Sequence, residues 1–230
     1  MGLYRYLQDF LDLIFPPRCL ACEQKLIRPE SYICLACKAE LPRTDFEKFQ
    51  DNPVFRRFMG RFPLRFAGAW LHFQKAGKVQ KLMHAFKYRD QERLAFYLGR
   101  QLAREWRDSP LLASPDVIIP VPLHSRKQRK RGYNQAQAIA EGLSVELKKP
   151  LVLGELNRIR YRNSQTKEKR FNRWQQVNSV FQLKEPSKLA GLHVLLVDDV
   201  ITTGATLEAC LQSLSQAPES RFSVLTLAHA

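Results

Sequence analysis

The chain has 230 residues, 45% of them hydrophobic and 26% charged, with no long low-complexity tract; this excludes a disordered or fibrous protein and leaves room for one medium domain plus a small appendage. Its 37 Lys and Arg against 22 Asp and Glu leave a formal charge of +15, which favours polyanionic partners (nucleic acid, anionic lipid, phosphorylated metabolites), a basic surface kept for solubility being the plain alternative. No apolar run approaches the ~20 residues of a bilayer span, and Arg5, Asp9 and Asp12 interrupt the place of a signal peptide, so a cytoplasmic location is expected.

Leu3, Tyr6, Leu7, Phe10, Leu11, Ile14 and Phe15 recur at spacings of three and four, which predicts an amphipathic helix stopped by Pro16 and Pro17. Two Cys-x-x-Cys knuckles follow, Cys19 with Cys22 and Cys34 with Cys37. Four thiolates at this spacing suit a tetrahedral, closed and therefore structural Zn²⁺ site, with two disulfides or a redox pair as the alternatives. Lys25, Arg28, Lys38 and Arg43 would give such a module a positive surface, and Tyr32, Tyr133 and Trp174 could stack bases or simply pack. From Pro42 to Pro63 no periodicity is visible.

Alternation predicts a strand from Phe66 to Phe73. Two helices follow, one carrying Val79, Leu82, Met83 and Phe86 and the next Leu94, Leu98 and Leu102. Beyond Pro115 strands and helices alternate: Val117 to Val121, a helix from Gln135 to about Leu147, Leu151 to Leu153, His193 to Val197, a helix after Gly204, and Ser223 to Leu227. That order predicts an α/β fold with a parallel sheet flanked by helices.

The first of these strands runs into a Pro-rich turn, the basic run Arg126, Lys127, Arg129, Lys130 and Arg131, and a helix capped by Asn134. Five cations and a helix amino end at the mouth of a crevice suit a pyrophosphate, with Arg131 the favoured contact. The same cations could hold the phosphates of a nucleic acid strand, or form a solvated turn.

The stretch Val194 to Val197 is apolar, ends in Asp198 and Asp199, and turns through Thr202, Thr203, Gly204, Ala205 and Thr206 into a helix. Ligands of open α/β sheets bind at the carboxyl ends of the strands. Two adjacent carboxylates there can accept hydrogen bonds from vicinal hydroxyls, while the turn aims backbone N–H groups and threonine hydroxyls at one point that suits a phosphate. Ordinary helix capping would use one or two of these residues. The thirteen positions from Val194 to Thr206 resemble the fingerprint of type I phosphoribosyltransferases. The resemblance implies that Asp198 and Asp199 hold the ribose hydroxyls of phosphoribosyl pyrophosphate (PRPP), that Thr202 to Thr206 bind its 5-phosphate, and that Mg²⁺ accompanies the pyrophosphate. Relatives that salvage purine bases place an acid at the position of Thr202; this chain lacks that general base, and no catalytic residue is assigned.

The combination of Arg131-Gly-Tyr-Asn-Gln135, Asp198 to Thr206, the segment His84-Ala-Phe-Lys87-Tyr88 and an amino-terminal four-cysteine module is similar to the ComF family of competence proteins. That resemblance implies DNA uptake and natural transformation, with PRPP and single-stranded DNA as ligands and a protein of the competence machinery as a possible partner. It also places a hood loop over Arg158 to Gln165 and Asn178 to Phe181. The expected organisation is a helix and zinc module over 1–45, a linker over 46–65, and a phosphoribosyltransferase-like domain over 66–230. A metabolic phosphoribosyltransferase, and an adaptor with a vestigial site, are the alternative readings.

Overall fold

The structure, a computed structural model, describes residues 15–88, 91–159 and 180–230. The expected amino-terminal helix up to Ile14, Trp174, and the hood stretch between Gln165 and Asn178 lie outside the described residues.

Four parallel strands form the sheet, in the order β1 (Leu64–His72), β6 (Arg221–His229), β5 (His193–Ile201), β2 (Val117–Pro120). The centre of β5 reads continuously apolar because both faces are covered: Leu195, Leu196 and Val197 have no exposed surface. Beyond β2 the expected strand at Leu151 to Leu153 shrinks to one bridge, in which Ile118 donates to Pro150 O and Val152 donates to Ile118 O. Pro150 has no N–H to extend that ladder.

Among the helices, α1 (Leu35–Ala39) lies in the cysteine module and α2 (Pro53–Arg56) in the stretch expected to be a linker. Phe46, Asn52, Val54 and Phe58 of that stretch are buried in the same core as the sheet, and Asn52 Nδ2 donates to Ala67 O of β1 at 2.9 Å. The expected helix pair is α3 (Lys78–Tyr88) and α4 (Glu92–Glu105), followed by the short α5 (Pro110–Ala113). The basic run, for which a solvated turn is one of the sequence readings, is itself the helix α6 (Ser125–Arg131), which His124 caps by accepting from Arg126 N and Gly132 ends at φ +80°. Helix α7 (Gln135–Leu147) starts at the expected cap, Asn134, whose Oδ1 accepts from Ala136 N at 3.1 Å.

Two short antiparallel strands, β3 (Leu156–Arg158) and β4 (Phe181–Leu183), flank the hood stretch. Helix α8 (Ala205–Leu214) turns Leu207, Cys210, Leu211 and Leu214 inward, the i, i+3, i+4, i+7 stripe of a buried helix face.

Candidate functional site

Strand β5 carries its apolar run into the core and its last residues out of it, so Asp198 and Asp199 emerge half-buried at the carboxyl end of the sheet. Asp198 Oδ1 accepts the backbone N–H of Asp199 at 2.9 Å. Burial, and then the charge of Asp199, push the Asp198 carboxyl up to about 8, against the opposing pull of Lys87 and Arg158. Asp198 thus takes a proton more readily than a free aspartate, while Asp199 is bound to a cation: Lys87 Nζ lies 2.9 Å from Asp199 Oδ2. Two adjacent carboxyls of this kind can bind a pair of vicinal hydroxyls.

The turn from Thr202 to Thr206 leaves all three threonines and Ala205 exposed over a buried Gly204. Gly204 sits at φ +87° and opens α8, whose first N–H, that of Ala205, donates to Thr203 Oγ1 at 3.4 Å. A Cβ at Gly204 would meet Phe58 Cζ only at 3.7 Å, so the backbone conformation and not space demands glycine. The segment after α2 braces this turn: Arg57 donates to Thr202 O and, at 3.1 Å, to Ala230 O, and Arg61 pairs with Glu208 at 2.7 Å.

On the pyrophosphate side, Arg126, Arg129 and Lys130 are exposed and Arg131 is half-buried, its Nη1 donating to Gln135 Oε1 at 2.8 Å. The side chain of Lys127 lies outside the described residues. Tyr133 is buried, and its hydroxyl donates to Phe86 O at 2.5 Å, so it is a strut and not a stacking platform. That strut places Lys87, the next residue of α3, between the acids of β5 and the turn that follows the basic helix. Lys87 had no role in the sequence reading beyond its place in a resemblance. Arg158 was likewise missed: its buried Nε has no hydrogen-bond partner among the described residues, its guanidinium lies 5.3 Å from the Phe181 ring, and its charge lowers the Asp198 carboxyl. Neither pairing leaves a local signal, since both link distant segments.

The cysteines converge as expected. The four Sγ atoms lie within 4.8 Å of one another and those of Cys22 and Cys34 are 3.8 Å apart; a tetrahedron of ~2.3 Å metal–sulfur bonds has edges of about 3.8 Å. Backbone N–H groups of Cys34 and Cys37 donate to Cys19 and Cys34 sulfurs, which favours thiolates. The set fits Zn²⁺. The module docks on α4: Tyr32 packs on Tyr97 at 5.3 Å, Lys38 donates to Gln101, and Arg43 makes a two-pronged pair with Glu105. Lys38 and Arg43, expected to form a positive surface, are thus spent within the chain.

Residues 10–46 match the family described as Double zinc ribbon domain, and residues 93–221, more than half of the chain, match Phosphoribosyl transferase domain. The first of these stretches holds four cysteines, enough for one Zn²⁺. The chain is 32% identical over 157 residues to Competence protein F of Haemophilus influenzae, covering 65% of this chain and 67% of that protein. Similarity to DNA utilization protein YhgH of Salmonella typhi is 33% over 136 residues, 58% of this chain and 59% of that one, so less than two thirds of that relative is spanned. Competence protein ComFC of Bacillus subtilis is 26% identical over 200 residues, 85% of this chain and 77% of that protein.

Proposed function

Because the chain belongs to the ComF/YhgH family, with a phosphoribosyl transferase domain behind an amino-terminal zinc ribbon, we propose that it binds PRPP with Mg²⁺ at the end of β5 and single-stranded DNA on its basic surface, serving DNA uptake and transformation in the cytoplasm. The observation that carries the reading is the junction of β5 and α8, where two acids and a threonine turn built on Gly204 at φ +87° lie a few residues apart. Asp198 and Asp199 take the ribose hydroxyls, and Thr202 to Thr206 take the 5-phosphate. Arg131 and the exposed cations of α6 face the pyrophosphate.

Mg²⁺, when bound, supplies charge that screens the pyrophosphate from the two acids, and takes its ligands from substrate oxygens and water. The net charge of +15 and the names of the relatives, competence and DNA utilization proteins, support the DNA half of the reading. The zinc ribbon, docked on α4, offers its outer face to a protein of the competence machinery.

The test is thermal unfolding of the zinc-loaded protein with Mg²⁺, with and without PRPP, for the wild type and Asp198→Ala/Asp199→Ala. At 100 times the dissociation constant, a ligand selective for the folded state adds about 2.7 kcal/mol. A shift in the wild type alone is expected; no shift in a folded wild type overturns the PRPP half.

A further inference from the structure

A second charged feature lies at the opposite end of the sheet from Asp198. Helices α4 and α7 cross with no room for side chains at Gly99 and Gly142, where an added Cβ would collide with the carbonyl oxygens of Ile139 and Phe96. One turn beyond Gly142, this close crossing sets Glu146 beneath arginines. Arg100 and Arg104 both donate to Glu146 Oε1, the latter at 2.8 Å, and Arg107 Nη2 stands 3.9 Å from Oε2. The carboxylate is held below its ordinary range, first by the Arg104 hydrogen bond, and so stays ionised as the anchor of the cluster.

One carboxylate holds Arg100 and Arg104 by hydrogen bonds, with Arg107 close by, and neutralises only one of the three charges. Lys148, which ends α7 in a left-handed conformation, and Lys149 add two cations at the rim of a groove of about 690 Å³. The groove is not purely polar: Leu112, Val145 and Leu147 line it, and Val145 is exposed. The Arg100 guanidinium also lies 5.9 Å from the centre of the Phe96 ring, within cation–π range.

We propose that this groove binds single-stranded DNA, with Arg107, Lys148 and Lys149 on the phosphates and Arg100, Val145 and Leu147 toward the bases. A duplex hides its base faces, whereas a single strand offers them to such a surface. The 13 residues of α7 make a helix about 20 Å long. Its first turn borders the expected pyrophosphate side and its last turn the groove, so strand and PRPP are held at the same time. The inference rests on the DNA half of the proposed function and is independent of the PRPP half.

The experiment is fluorescence anisotropy of the full zinc-loaded chain with a labelled oligothymidylate about 20 nucleotides long. It compares wild type, Arg107→Gln/Lys148→Gln/Lys149→Gln, and Arg129→Gln/Lys130→Gln. The groove variant is expected to bind about tenfold more weakly at low salt and to flatten the log–log salt slope by about 2, at ~0.7 per lost contact. Saturating PRPP with Mg²⁺ should leave wild-type affinity for the strand unchanged. Wild-type affinity in the groove variant, or loss confined to the α6 variant, overturns the inference. So does a groove variant that keeps DNA but loses phosphatidylglycerol vesicles, which would reassign the groove to a lipid surface. If wild type binds no oligonucleotide yet still shifts with PRPP, the groove and the DNA half fall together while the PRPP half stands.

Discussion

Lys87 Nζ and Asp199 Oδ2 meet at 2.9 Å across the carboxyl end of the sheet, with side chains 21% and 14% exposed. Helix α3 is fixed at this point by the Tyr133 hydroxyl on Phe86 O, so the lysine is held by the same turn that follows the basic helix. A cation in this place offsets the charge of Asp199, which would otherwise repel both an ionised Asp198 and an incoming anion. Removing it leaves a carboxylate that is mostly out of water.

Lys87→Met is therefore expected to cost about 2 kcal/mol, less than the loss of a fully buried partner. Lys87→Met/Asp199→Asn should recover more than half of that, because the unpaired charge is gone. Urea unfolding of the four proteins of the cycle measures the coupling. Strictly additive losses would show that the pair is a surface contact. The stabilisation expected from PRPP on the proposed reading should shrink in Lys87→Met, since an anionic ligand would then approach an uncompensated Asp199.

Asp198 gives a pH signature of unusual sign for an acid. Its folded value of about 8 lies above the ~3.9 of an unfolded aspartate. The folded chain thus binds the proton more tightly, and the resulting stabilisation is complete below about pH 4 and lost as pH rises through about 8. Asp198→Asn cannot titrate. The stability difference, wild type minus Asp198→Asn, should fall with rising pH over this window, by at most about 1.4 kcal/mol per unit. A flat difference, read from urea unfolding at several pH values, would place the proton elsewhere.

Much of this end of the molecule was legible in the sequence because its signals are local. Leu195, Leu196 and Val197 announce a strand buried on both faces, the acids after them mark its emergence, and Gly204 with its threonines announces the turn. Asn134 was readable as a cap for the same reason. The basic run hid its helix because Ser125–Arg131 offers no apolar position on which a period could register. Phe46, Val54 and Phe58 are buried one by one at irregular spacing, which pattern reading treats as loop. Lys87 on Asp199, Arg57 on Thr202 and Arg43 on Glu105 are invisible locally, because each partner lies on a segment far along the chain.

Gly204→Ala tests the turn through its backbone. The nearest atom to an added Cβ is 3.7 Å away, so packing is not strained, but φ is +87°. A side chain in that region costs roughly 1–2 kcal/mol. The variant is expected to fold with that loss in urea unfolding and to bind PRPP more weakly than its stability loss explains, because the relaxed turn re-aims the N–H groups of α8. Unchanged affinity would separate the turn from the phosphate.

Zinc removal should be felt well beyond the ribbon. Tyr32 on Tyr97, Lys38 on Gln101 and Arg43 on Glu105 tie the module to α4, and Glu105 also accepts from Trp70 Nε1 at 2.8 Å, inside the sheet. The cysteines belong to one continuous core with the strands. Metal binding supplies folding free energy to a module too small to bury a core of its own. Cys22→Ser should therefore lose its zinc by metal analysis and lower the midpoint of the main thermal transition by several degrees, since about 1 kcal/mol shifts a domain of this size by ~2–4 °C. A separate early transition with the main one unmoved would show instead that the ribbon unfolds by itself, and that its contacts on α4 add nothing to the sheet domain.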